Sequence, residues 1–210
     1  MNARRFLALI GVGLVLAAAA AFLLLRPSGA QSAALDSRQR AMELLGAHLA
    51  KIQPDAKVLV LSNPFAKESG FLNEKALFEK AGLRGLRRGL GAKASVEVVF
   101  PEILPEYFAN PQSVMIPSDS RTPLSFLMRP ASVDALAEAH PGHRFIVSLI
   151  GLPAGVDQLK LWDPKDPHAF ALLLPDLRLL GPPARTLEAF QQGKLLAAVA
   201  EDESGAPFLV

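Results

Sequence analysis

The chain of 210 residues contains no cysteine. That excludes disulfides, thiol catalysis, lipidation at a lipobox cysteine and thiolate metal sites, and leaves four histidines and the carboxylates as the available metal ligands. Surplus charge is missing as well. Three of the 22 bases, Arg4, Arg5 and Arg26, stand in the first 30 residues, which hold no acid, so the remainder carries 19 bases against 20 acids. A nucleic-acid binder keeps a basic excess in its folded part, and no nucleic-acid partner is expected. There is no Gly-x-Gly-x-x-Gly, no Walker loop and no Gly-x-Ser-x-Gly elbow, so the usual nucleotide and α/β-hydrolase signatures are lacking. No internal repeat and no second long apolar run follows the leader.

What is present begins at the N-terminus. Arg4 and Arg5 precede an unbroken apolar run over residues 6–25, closed by Arg26. At about 1.5 Å per helical residue, 20 residues reach about 30 Å, the thickness of a bilayer core. The run is longer than the usual apolar region of a signal peptide, which favours an uncleaved signal anchor. Ser28-Gly29-Ala30 offers small residues for signal peptidase, so a secreted product of leader cleavage is the alternative. Either way, residues 57–210 are expected outside the cytoplasm, in the periplasm, with the membrane as a partner through a single N-terminal span.

About 180 residues remain after the leader, enough for one domain with its own core. Residues 31–56 read as a linker and juxtamembrane helix, with Asp36 as N-cap, Gln39 as its reciprocal partner and Met42, Leu45, Leu49 and Ile52 on one apolar face. Residues 58–62 form a short apolar run suited to a buried strand. A helix follows over residues 72–90, where Gly82, Gly85 and Gly89 suit close packing on a sheet. A second strand is expected at residues 95–100, a third at 144–150, a fourth at 170–174 and a fifth at 195–200. Ser132 and Thr186 are expected to cap intervening helices, and a short helix is expected at residues 156–162. Between strands two and three, residues 101–131 carry Pro101, Pro105, Pro111, Pro117, Pro123 and Pro130, the pattern of a long loop with a binding or docking role. Alternating helices and strands that are apolar on both faces predict a doubly wound, mostly parallel, five-stranded α/β sheet of flavodoxin-like order 2-1-3-4-5, preceded by the transmembrane helix.

Strand 58–62, the helix ending Gly85-Leu86-Arg87-Arg88-Gly89-Leu90, the segment Val96-Glu97-Val98-Val99-Phe100-Pro101 and the late stretch Ala189-Phe190-Gln191-Gln192-Gly193-Lys194-Leu195 carry a resemblance. Over residues 57–200 the chain resembles one lobe of a type I periplasmic-binding-like domain. The resemblance implies a substrate-binding-like module; that family holds solutes between two lobes, so a cleft here would require a second chain, a homodimer or an envelope partner.

In an open parallel sheet, ligands sit beyond the carboxyl ends of the strands at the switch in strand order. That rule singles out Ser62, Asn63, Lys67 and Ser69 after strand one and Gly151 after strand three. Ser118, Asp119 and Arg121 in the proline-rich loop complete the candidate set, with Arg121 suited to a carboxylate or phosphate. An ordinary strand-to-helix turn and a solvated loop turn would carry the same residues. Tyr107 and Phe108 either line a binding surface or pin the loop to the core, and Met115 belongs to the same candidate docking loop. His140 and His143 read as a helix-ending turn, residues 163–168 as a proline-punctuated loop with a cation as the alternative reading, and Trp162 as core. No metal and no cofactor is expected. The function these features favour is non-catalytic binding of a small anionic solute or a partner protein. A hydrolase of an anionic substrate and a structural subunit of an envelope complex are the alternatives.

Overall fold

A computed structural model describes residues 29–67 and 74–210. The chain divides into two units, Met1–Ala34 and Leu35–Val210. Of the first, only residues 29–34 are described, and they are helical. The apolar run at residues 6–25 lies outside the described residues, and among the described ones no helix is long and apolar enough to cross a membrane.

The second unit is built on a six-stranded sheet of order β2-β1-β3-β4-β5-β6. Strands β1 (Lys57–Leu61), β2 (Ser95–Val99), β3 (Phe145–Ser148), β4 (Ala169–Leu173) and β5 (Leu195–Glu201) are parallel, in the order expected of a flavodoxin-like sheet. Val60 stands beside Val98 on one side and Val147 on the other, and Val147 beside Ala171, so the apolar runs meet in the centre. Every residue of β4 and all but Lys57 of β1 is buried, as strands covered on both faces require. At the edge, β2 instead alternates towards solvent and exposes Glu97.

A sixth strand, β6 (Pro207–Leu209), pairs antiparallel with β5 and closes the other edge. The five-strand expectation missed it because three residues opening on a proline carry no period, and an edge is where a strand tolerates a residue without an N–H.

Helix α1 (Gly29–Ile52) runs through Asp36 and Gln39, which therefore sit inside it rather than at its start. Helix α2 (Glu74–Leu90) crosses α1 backbone to backbone. A Cβ on Gly85 would overlap the Gln39 carbonyl, one on Gly89 the Glu43 carbonyl, and one on Gly46 would lie 2.6 Å from the Leu86 carbonyl. These glycines admit a second helix, where packing on the sheet was expected. With right-handed crossovers, the step from β1 to β2 puts α2 on one face of the sheet. The steps in the opposite direction put the helices Pro130–Ala139 and Pro183–Gln191 on the other.

The proline-rich stretch is not a structureless loop. Three of its six prolines open a helix or 3₁₀ turn, the helical position where a missing N–H removes nothing. Pro105 begins α3 (Pro105–Ala109), Pro111 a 3₁₀ turn (Pro111–Ser113), and Pro130 begins α5 (Pro130–Ala139). Between them lies α4 (Leu124–Leu127), and an antiparallel bridge joins Ile103 to Met128. Arg129 and Pro182, not Ser132 and Thr186, occupy the N-cap positions of α5 and of α6 (Pro183–Gln191). The Ser132 hydroxyl donates to the Arg129 carbonyl and accepts the Glu102 N–H, tying β2's exit to α5. The segment expected as a short helix near Trp162 is two 3₁₀ turns (Val156–Gln158 and Lys160–Trp162). They are held by buried Asp134, whose carboxylate accepts the N–H groups of Lys160 and Leu161.

Candidate functional site

Strand order reverses between β1 and β3, and a recess with both apolar and charged walls opens there, at the carboxyl ends of β1, β3 and β4. Its volume is about 390 Å³, within the range of small-ligand sites. Asn63 comes from the exit of β1, Leu149 and Ile150 from that of β3, and Leu173 and Leu174 from that of β4. Phe78 of α2 and Leu124 of α4 add apolar wall, and Arg38, Glu74, Lys75, Glu79 and Arg121 carry its charges.

The floor is an ion pair between a buried carboxylate, Glu79, and a partly buried guanidinium, Arg38. Glu79 occupies the stripe of α2 that continues through Gly82, Leu86 and Leu90, and so faces inward. One of its oxygens accepts Arg38 Nη2 at 2.6 Å; the other accepts the Ser62 hydroxyl at 2.5 Å and the Asn63 N–H at 3.1 Å. Arg38 also donates Nε to the Phe78 carbonyl at 2.9 Å and Nη2 to the Leu149 carbonyl at 3.4 Å. The pair thereby locks α1, α2 and the exits of β1 and β3 together. The buried Glu79 carboxylate is thus met by three donors, as a buried charge requires.

Leu174, in the wall, has φ 44°, the one non-glycine residue in the left-handed region among the described residues. A leucine there costs roughly 1–2 kcal/mol, and its N–H donates to the Val199 carbonyl at 2.8 Å. Strain of this kind gathers at functional sites.

The mouth is held by a second network. Arg178 donates to both Asp119 and Asp176, at 2.5 Å through Nη1 and 2.7 Å through Nη2. Asp119 and Asp176 stand two residues along the chain from the wall residues Arg121 and Leu174. Hydrogen bonds from Arg178 hold the Asp119 and Asp176 carboxyls below the usual carboxylate range, and the two acids push the Arg178 guanidinium up. Arg121 itself is exposed in the cavity wall, and its side chain has no ion pair among the described residues.

Of the residues singled out from the sequence, Asn63 and Arg121 line the cavity together. Ser62 is buried beneath it, its hydroxyl committed to Glu79. Lys67 lies with its ammonium 5.5 Å from the Phe100 ring centroid and is not in the wall. Ser118 is exposed and also outside the wall, and Asp119 serves Arg178. Gly151, at φ +86°, lets the β3 exit approach Thr122 and Ser125, where a Cβ would lie 2.6 Å from the Ser125 hydroxyl. Ser69 lies outside the described residues. Arg38 and Glu79 went unnoticed, although a carboxylate on the apolar stripe of α2 was the available signal.

Beside the cavity, Phe65, Tyr107 and Phe108 form an aromatic cluster with centroids 5.9–6.2 Å apart, and Lys75 Nζ lies 5.4 Å from the Phe65 ring. Tyr107 therefore pins the loop, while Phe108 is 63% and Met115 88% exposed. His140 and His143 both meet Glu97 of β2, at 3.2 and 3.4 Å, and among the described residues no group of three or more such side chains is placed to hold a metal ion. The cation received by the loop at residues 163–168 is the protein's own Lys194. Comparison with protein-family models, with curated proteins and with solved structures finds no match for this chain.

Proposed function

We propose that residues 35–210 form an extracytoplasmic, non-catalytic binding module, tethered to the membrane through the apolar run at residues 6–25, whose small-molecule ligand occupies the cavity at the β1–β3 switch. The observation that carries the reading is the cavity itself: a recess at the position where open parallel sheets bind ligands, with apolar walls and a few fixed polar groups. The resemblance to one lobe of a type I periplasmic-binding-like domain points the same way. Binding rather than hydrolysis is favoured because the serine at the β1 exit is buried and its hydroxyl is spent on Glu79. Tethering raises the local concentration of such a module at a membrane complex.

Native mass spectrometry of the full chain, extracted gently from membranes, tests this. The expected result is a retained small-molecule mass that disappears in Leu124→Trp, a variant that fills the cavity from its rim, while the melting transition persists. No retained mass, or the same mass on both proteins, overturns the proposal. Docking onto an envelope protein is the second reading, favoured by the exposure of Phe108 and Met115; the same spectrum would then show a protein partner or a second copy instead.

A further inference from the structure

We infer that the ligand of this cavity is a monoanion with an apolar body, its headgroup held between Arg38 and Arg121; the inference rests on the cavity being the binding site. The wall is mostly hydrocarbon, from Phe78, Leu124, Leu149, Ile150, Leu173 and Leu174. Such a wall selects an apolar body, because a fully polar solute would lose its water there without replacement hydrogen bonds.

The charges decide the headgroup. Among the described residues five charged ones line the cavity, the cations Arg38, Lys75 and Arg121 and the carboxylates Glu74 and Glu79, which leaves one positive charge in excess. Arg38 and Glu79 neutralise each other at the floor. The Arg38 guanidinium is nonetheless only half used. Its Nε and Nη2 edge is held by Phe78, Glu79 and Leu149, whereas Nη1 donates to no acceptor among the described residues. At 17% exposure the side chain keeps some surface in the cavity wall. A guanidinium fixed on one edge presents its remaining N–H groups in a set direction, the preorganisation that favours a planar or tetrahedral oxyanion. Arg121 supplies the uncompensated charge: it is exposed at the rim, and no ion pair among the described residues competes with a ligand for it. A cation would meet this excess charge unfavourably, and a dianion would exceed it.

The test uses the full chain in lipid nanodiscs and matched probes of one shape: heptanoate, heptanamide and heptylamine, with 4-phenylbutyrate and its amide as a second pair. Calorimetric titration is expected to show each acid binding at least about tenfold more tightly than its amide, the scale of a charge-assisted hydrogen bond, with the amine weaker still. The amides partition into lipid at least as well as the acids, so partitioning alone would produce the opposite order. Arg121→Gln is expected to remove most of the acid's advantage and leave amide binding unchanged; this rim residue has no internal partner whose loss would disturb the fold. Equal binding of acid and amide, or acid binding unaffected by Arg121→Gln, overturns the inference. If amide or amine binds best and Leu124→Trp abolishes it, the cavity remains the binding site and only the monoanion falls. If no probe binds, both readings fall.

Discussion

The two ends of the sheet each hold a cation, partly buried at one and fully buried at the other, and they use it differently. At the carboxyl end Arg38 is paired with Glu79, keeps Nη1 unspent and lines an open cavity. At the amino end Lys194, just before β5, is 2% exposed and donates to the carbonyls of Leu161, Asp166 and His168 at 2.8, 2.6 and 3.1 Å. All three of its N–H groups are spent on backbone, and burial pushes the ammonium below the ordinary lysine value. Its neighbours are short turns. A buried cation with every donor satisfied is part of the scaffold; one with donors left over beside a recess is equipped to meet something else.

The contrast breaks most severely at Glu79. Glu79→Ala strands Arg38 without its carboxylate and removes the acceptor of Ser62 and Asn63. A loss of about 3–5 kcal/mol is expected, the range for removing one partner of a buried ion pair. Denaturant unfolding of the full chain in detergent measures it. A loss below about 1 kcal/mol would mean that the pair is solvated and the floor is not a locked element.

Lys194→Met sharpens the comparison from the other side. Three carbonyls lose their donor, but the desolvated charge disappears with it and the loop at residues 163–168 has access to water. The expected loss is smaller, about 1–3 kcal/mol. Probe binding in the cavity is expected to stay unchanged in this variant, which calorimetry of the same preparation checks. Weakened binding would show that the two ends are coupled through the sheet.

The same contrast explains how far the sequence could be read. The parallel strands were legible because burial on both faces turns them into apolar runs, and the order followed from alternation with helices. Asn63 was reachable because the switch-point rule points to loops at strand exits, and Arg121 because a guanidinium in the proline-rich loop suits an oxyanion. Arg38 was not, since it arrives at the carboxyl end from α1, which precedes β1. Loop membership did not settle side-chain direction either: Lys67 and Asp119 share loops with cavity residues and turn to Phe100 and Arg178. The glycines of α2 announced a close approach without naming the partner, because Gln39 and Glu43 lie some forty residues earlier. Prolines at residues 101–131 were read as breaks, although proline is equally a first helical residue.

The smallest expected effect concerns the mouth of the cavity and acid. Arg178 holds the Asp176 carboxyl below its ordinary value, so the folded state binds that proton less readily than the unfolded chain. The stabilisation is therefore complete above the unfolded carboxylate value of about 3.9 and is lost as pH falls through the lower folded value. Asp176→Asn removes this component. Wild type and variant are expected to separate above about pH 4 and to converge towards pH 2, as read from denaturant midpoints across that range. Since Arg178 ties Asp176 to Asp119, two residues before Arg121, the variant is expected to bind the acid probes slightly less well at neutral pH while binding the amides normally. Parallel stability curves with no convergence in acid would show that Asp176 contributes through packing rather than charge.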